Sequence, residues 1–186
     1  MATATSLAGA AQATETLRQI YNLYRTALLN KLYYAAQLSK YRAANKYLEI
    51  IVAVGTSSTS IGAWAVWNTH NGRYWWAALA GVATLVSVVK PFFALPAEIE
   101  RHTKLYAGFT ELYYDLNKVV EKIRREKNVN QEMRTILENS GERLKTLATS
   151  DDPKPNEKLR RACTERVNLQ IPVKDLWIPP ATIKTA

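Results

Sequence analysis

Five hydroxyl-bearing residues in a row, Thr56-Ser57-Ser58-Thr59-Ser60, interrupt an otherwise apolar stretch of the chain. Successive helical residues turn by about 100°, so five of them sweep the whole circumference and cannot share a face. Some must bond back to the carbonyl one turn earlier. The others, with Gly55 and Gly62, either let helices pack closely or present hydroxyls to water in an oligomeric pore, a role that falls to Thr56, Ser57 and Ser60. Lys90, beside Pro91, is the matching cation: its ammonium either snorkels to headgroups or forms a ring at a pore mouth. Two further cation clusters suit a polyanion. One is Arg124, Arg125, Lys127 and Arg134, the other Lys158, Arg160, Arg161 and Arg166. Repeated around an oligomer, either would bind an oligonucleotide with counterion release and steep salt dependence.

Catalytic chemistry is harder to find. His70 and His102 fall on opposite sides of the expected membrane segments, and Cys163 is the single cysteine, so neither a metal site nor a Cys/His nucleophile pair follows. A lone cysteine also excludes an intrachain disulfide framework. The chain holds seven glycines and no phosphate-cradling glycine loop. Acids alternate with bases, as in Glu121-Lys122-Ile123-Arg124-Arg125-Glu126-Lys127, in the manner of a solvated helix face. We therefore read neither an enzyme nor a cofactor or metal site.

The elements that position these residues follow from charge segregation. No Asp, Glu, Lys or Arg occurs between Glu49 and Arg73, nor between Arg73 and Lys90, so the whole net charge of +9 lies outside these two stretches. A charge at the centre of a membrane helix costs about 2.5 to 3.5 kcal/mol, so such gaps are what hydrocarbon demands. Spans over 50–67 and 74–95 reach the length of roughly 20 residues that a crossing needs. Trp64, Trp67, Tyr74, Trp75 and Trp76 edge the short connector, as interfacial aromatics do. The connector carries Arg73 alone, whereas Lys31, Lys40, Arg42 and Lys46 precede the first span and Lys90, Arg101 and Lys104 follow the second. The positive-inside rule then puts both termini in the cytoplasm. Residues 1–16, without Lys or Arg and without a compact apolar core, do not read as a secretory signal and are expected to be flexible.

Outside the spans the pattern is helical. Leu17, Tyr21, Tyr24, Leu28, Leu32, Ala35 and Leu38 make an amphipathic stripe within a juxtamembrane helix, 17–49. Arg25, Lys31, Tyr33, Tyr34, Lys40, Tyr41, Arg42, Lys46 and Tyr47 interleave it, a mixture suited to a lipid surface or to stacking on bases. Tyr106, Tyr113 and Val120, with Phe109, Leu116 and Ile123 offset by three, give a coiled-coil spacing. After a break at 128–131, Met133, Leu137, Ser140, Leu144 and Leu147 continue it, so 96–149 reads as a cytoplasmic helical hairpin. Residues 150–168 supply a breaker and a basic helix, and 169–186 an extended tail with Pro172, Pro179 and Pro180. The expected fold is all-α: a transmembrane hairpin with long helical arms forming a bundle or coiled coil. A single hairpin encloses no pathway, so a pore requires a homo-oligomer, with a tetramer as the guess.

The basic, Tyr-rich juxtamembrane helix, the Trp-edged hairpin, Phe92-Phe93, the acid/base turn with His102 and the long helix with Tyr106 and Leu112 together resemble the SLATT domain. That family comprises two-transmembrane effectors encoded beside prokaryotic nucleotide-signalling genes. The resemblance covers roughly 24–123. It implies a pore-forming effector of bacterial anti-phage defence in the inner membrane, controlled by a nucleotide made by a neighbouring nucleotidyltransferase-type enzyme, with depolarisation and growth arrest as the outcome. It carries no ligand motif, so both basic clusters rest on charge alone. A different class stays open: a non-conducting membrane anchor whose coiled-coil arms recruit a protein partner. A third, a membrane-shaping protein driven by the amphipathic N-terminal helix, also stays open.

Overall fold

A computed structural model of the chain describes residues 2–57, 72–89, 95–152, 154–173 and 176–177. Every regular element among them is a helix: α1 Ala2–Ser57, α2 Gly72–Val89, α3 Leu95–Glu126, α4 Gln131–Ala148 and α5 Glu157–Gln170. The all-α expectation is met. Two compact units emerge, residues 1–35 with 104–186, and residues 36–103, so that α1 and α3 each contribute to both.

The first unit is a helical bundle built on heptad logic. From α1, Leu17, Ile20, Tyr21, Tyr24, Ala27, Leu28 and Tyr34 are buried, a run of i, i+3, i+4 spacings that keeps one face inward. From α3, Leu105, Phe109, Leu112, Leu116, Val119 and Ile123 alternate steps of four and three and are likewise buried. Phe109, Leu116 and Ile123 therefore lie on the seam that the sequence indicates. Tyr106 and Tyr113 flank it instead, only partly buried, and Leu105 and Leu112 take the facing positions. The reason is polarity: the tyrosine rings flank the seam, where their hydroxyls can reach a partner.

Helix ends are set by local hydrogen bonds. Lys127 adopts φ 50° and its N–H reaches the Ile123 carbonyl at 2.8 Å, which ends α3. Asn130 then caps α4, its side chain accepting from the Met133 N–H at 3.0 Å, and Asn156 caps α5 by the same bond to Leu159 at 3.0 Å. α4 turns Met133 and Ser140 inward, and α5 turns Cys163 and Val167. Close approach of α3 and α4 is made at Gly108, where a Cβ would stand 2.5 Å from a methyl of Leu147. The N-terminal stretch expected to be flexible is instead helical from Ala2, in keeping with its alanine content.

In the second unit the end of α1, all of α2 and the start of α3 are described. The acid/base turn expected around His102 is a turn of helix: the Nδ1–H of His102 donates to the Glu98 carbonyl at 2.8 Å, and Arg101 pairs with Glu98 at 2.8 Å. The His102 ring is fully buried and lies 4.8 Å from that of Tyr41. Among the described residues no helix is long and apolar enough to cross a membrane. Of the two expected spans, 58–67 and 90–94 lie outside the described residues, and α2 has 18 residues with Arg73 among them.

Candidate functional site

The residues expected to line a pore cannot be compared side by side. Thr56 and Ser57 belong to the last turn of α1, with side chains outside the described set, and Ser60 and Lys90 lie outside the described residues.

The first basic cluster gathers only in part. Arg124 and Arg125 end α3 and Lys127 follows it, all exposed, with Glu126 lying 3.9 Å from Arg125. Arg134 sits one turn into α4 and is partly buried along a groove of 1030 Å³ between α1 and α4. Across the turn, Lys122 pairs with Glu132 at 2.6 Å, so the corner is a mixture of signs and not a wholly positive face. The second cluster is spread around its helix. Lys158 and Arg161 share a face with Glu157 and Glu165, Arg160 acts electrostatically on Asp151, and Arg166 on Cys163. Four cations within nine residues of an α-helix cannot converge unless spaced by three or four, and only Lys158 and Arg161 are.

Of the basic and aromatic residues of α1 that sequence reasoning assigns to lipid or bases, Tyr33 and Tyr34 are buried and Arg25, Lys31 and Tyr41 half-buried, while Lys40, Arg42, Lys46 and Tyr47 are exposed. Tyr34 is fully buried and stacks on Phe109 at 5.6 Å and 5°. Tyr24 stacks on Tyr113 at 5.2 Å and 11°, and its hydroxyl donates to the side-chain Oδ1 of Asn117 at 2.6 Å. Burial raises the phenol pKa of Tyr24, and its hydrogen bond to Tyr113 adds to the effect. Lys31 places its ammonium 4.5 Å from the Tyr113 ring and 4.6 Å from that of Tyr114, a cation–π pair. Tyr47, by contrast, stays 67% exposed. Aromatic and basic residues mixed along a helix thus serve internal contacts as readily as external ones.

A second group of contacts fastens the connection between α4 and α5 to α1. The Tyr33 hydroxyl donates to Asp152 at 3.2 Å and accepts from the Asn156 N–H at 3.0 Å, while the Tyr34 hydroxyl donates to Asp151. Loss of solvent pushes the Asp151 carboxyl above its ordinary 3.8, opposed by the Asp152 N–H and reinforced by the Asp152 charge, with Arg160 opposing. An acid whose pKa is raised by folding stabilises the fold in its protonated form. That contribution is complete below 3.8 and is lost as pH rises through the raised value. We expect the melting temperature of the wild type to gain on that of Asp151→Asn as pH falls from neutral toward 4, because the amide keeps the acceptor but cannot titrate. Parallel melts at stepped pH check this; equal shifts in both proteins would contradict it.

One cavity was not foreseen. Residues of α1 and the segment after α5 enclose 330 Å³ with an apolar floor and with Arg18 and Arg25 on its wall. The spacing of seven between the two arginines was legible in the sequence, but nothing there showed that Val173 and Leu176 would line the same cavity. Among the described residues no group of His, Cys, Asp and Glu could hold a metal ion.

Fold and site together define an all-helical protein whose first unit is a bundle with a cation-lined cavity. No family model matches the chain, and no curated protein or solved structure matches it.

Proposed function

We propose that the chain is one subunit of an oligomeric pore in a bacterial inner membrane, with both termini cytoplasmic, opened or closed by a nucleotide or short oligonucleotide bound to its helical body. Its output is depolarisation and growth arrest during anti-phage defence. The observation that carries the membrane reading is the outward face of α2. Tyr74, Trp75, Val82, Leu85 and Val88 are between 48% and 71% exposed, and their spacing sets them on one side of the helix. An apolar face of that kind, without a charge from Tyr74 to Val89, calls for lipid or a partner, and the aromatic pair at its start suits a headgroup boundary. Tyr47, Ile50 and Ile51 present similar exposed surface on α1. The layout shared with the SLATT domain supports the defence context, and a hairpin with too few helices to enclose water supports a homo-oligomer.

Liposomes loaded with a small dye test the pore. The purified chain should release dye, alone or with added nucleotide, and replacing Thr56, Ser57 and Ser60 by Ala, Ala and Val should slow release by roughly tenfold, as removal of hydroxyls from a water path requires. No leakage under any of these conditions would sink the pore. The groove between α1 and α4 favours a second reading, an anchor that recruits a helical partner. For an anchor, the same three substitutions leave toxicity in cells unchanged.

A further inference from the structure

In the second unit α1 carries a run of exposed cations with little to neutralise them. Lys40, Arg42 and Lys46 all face solvent, and among the described residues none of them forms an ion pair. The undescribed stretches 58–71 and 90–94, which belong to the same unit, contain no Asp or Glu that could answer them. Glu49 is the one acid between residues 36 and 57, and it accepts from the Asn45 amide at 2.7 Å. Apolar surface follows the cations directly: Tyr47 is 67% exposed, Ile50 47% and Ile51 38%. Helical spacing joins the two features. Arg42, Lys46 and Ile50 succeed one another at steps of four, and Lys40, Tyr47 and Ile51 at seven and four, so each stripe runs from cation to apolar side chain along one side of the helix. Another face, with Tyr41 against the buried His102 ring, is the one turned into the protein.

We propose that this stretch of α1, residues 40–51, is a binding site for anionic phospholipid, with the headgroup phosphates facing Lys40, Arg42 and Lys46 and the acyl chains against Tyr47, Ile50 and Ile51. Charge decides the class of lipid, since three cations against one acid draw an anionic surface and gain little from a zwitterionic one. Distance decides the mode. From Lys46 to Ile50 is about 6 Å along the helix axis, and the headgroup layer on each side of a bilayer is about 5 to 7 Å deep, so a cation and an apolar side chain one turn apart meet phosphate and hydrocarbon together. Helical side chains lean toward the N-terminus, which points the cations away from the apolar belt and into that layer. Lys40, about 9 Å beyond Lys46, still lies within the roughly 10 Å over which an anionic surface acts at ordinary ionic strength. Tyr47 adds an amphipathic ring at the boundary. A soluble phosphate satisfies the cations and leaves Tyr47, Ile50 and Ile51 in water, whereas a lipid covers both. This inference rests on the membrane reading above and adds to it the lipid class that the chain selects.

The full chain in micelles of an uncharged detergent, titrated with dansyl-labelled phosphatidylglycerol or phosphatidylcholine and read by energy transfer from its tryptophans, tests the site without requiring conduction. Each cation brought to an anionic surface multiplies the affinity about fivefold. Phosphatidylglycerol is therefore expected to bind on the order of 100-fold more tightly than phosphatidylcholine, and the triple variant Lys40→Gln, Arg42→Gln and Lys46→Gln to lose that preference. Glutamine forms helix about as well as lysine and arginine, so the variant keeps its fold, which circular dichroism verifies. The variant Lys40→Arg, Arg42→Lys and Lys46→Arg keeps every charge and should keep the preference. Equal binding of the two lipids by the wild type, a preference that survives the triple glutamine variant, or displacement by glycerol 1-phosphate as effective as that by unlabelled phosphatidylglycerol would each overturn the proposal. Carbonate extraction keeps its failure apart from that of the membrane reading. A wild type that stays in the membrane fraction and ignores headgroup charge sinks this site and leaves the bilayer reading standing. One that is washed out of the membrane fraction yet prefers phosphatidylglycerol does the reverse.

Discussion

Phe109→Ala is expected to lower the stability of the helical bundle by about 3 to 5 kcal/mol, the range for deleting a buried aromatic ring. Phe109 is fully buried on the α3 seam, between Leu105 and Leu112, and it is the surface on which Tyr34 lies parallel at 5.6 Å. Removing the ring leaves a cavity against Tyr34, whose hydroxyl holds Asp151. The loss therefore reaches the connection between α4 and α5 as well as the core. Against a total of about 5 to 15 kcal/mol for a domain, this is a large fraction, so the variant should melt at markedly lower temperature. Tyr34→Phe keeps the stacked ring and removes only the hydrogen bond, at a cost of about 1 kcal/mol. Denaturant melts of the two variants separate packing from hydrogen bonding. Equal losses would show that the hydroxyl, and not the stacked ring, holds this corner together.

Why the bundle was legible and its contacts were not follows from what periodicity encodes. The alternation of four and three through Phe109, Leu116 and Ile123 specifies an inward face, and the break at 128–131 falls where Lys127 turns left-handed and Asn130 caps the next helix. Periodicity says nothing about which aromatic finds which partner. Tyr33 and Tyr34 are adjacent, about 100° apart on the helix, and the sequence assigns both to a lipid surface or to bases. Both are buried because α1 is covered on two sides, by Phe109 from α3 and by Asp151 and Asp152 from beyond α4. Lys31 reads as a solvent cation until Tyr113 and Tyr114, more than eighty residues later, arrive beneath it. The basic clusters fail for a related reason. Proximity in sequence at Lys158, Arg160, Arg161 and Arg166 is divergence in space on a helix, whereas Arg18 and Arg25, seven apart and unremarkable in sequence, share a wall.

Two charges placed on the outward face of α2, Val82→Asp with Leu85→Asp, should have an effect whose size depends wholly on what that face touches. Both side chains are exposed, at 48% and 66%, with Gly81 beside them open enough that a Cβ there would meet nothing within 4 Å. Were the face in water, such surface substitutions would change stability by about 0.5 kcal/mol or less. In hydrocarbon each aspartate near the helix centre costs about 2.5 to 3.5 kcal/mol, and two together exceed what a helix of 18 residues beginning with Gly72 and Arg73 can offset. We therefore expect the double variant to leave the membrane fraction on carbonate extraction and to lose toxicity in cells, while the bundle of the first unit keeps its helical signal and melting temperature. A double variant that stays in the membrane fraction would remove α2 from the bilayer and with it the pore. The same experiment run with Val82→Leu and Leu85→Ile, which keep the face apolar, should change nothing, so that the outcome reports the environment of the face and not the disturbance of the helix.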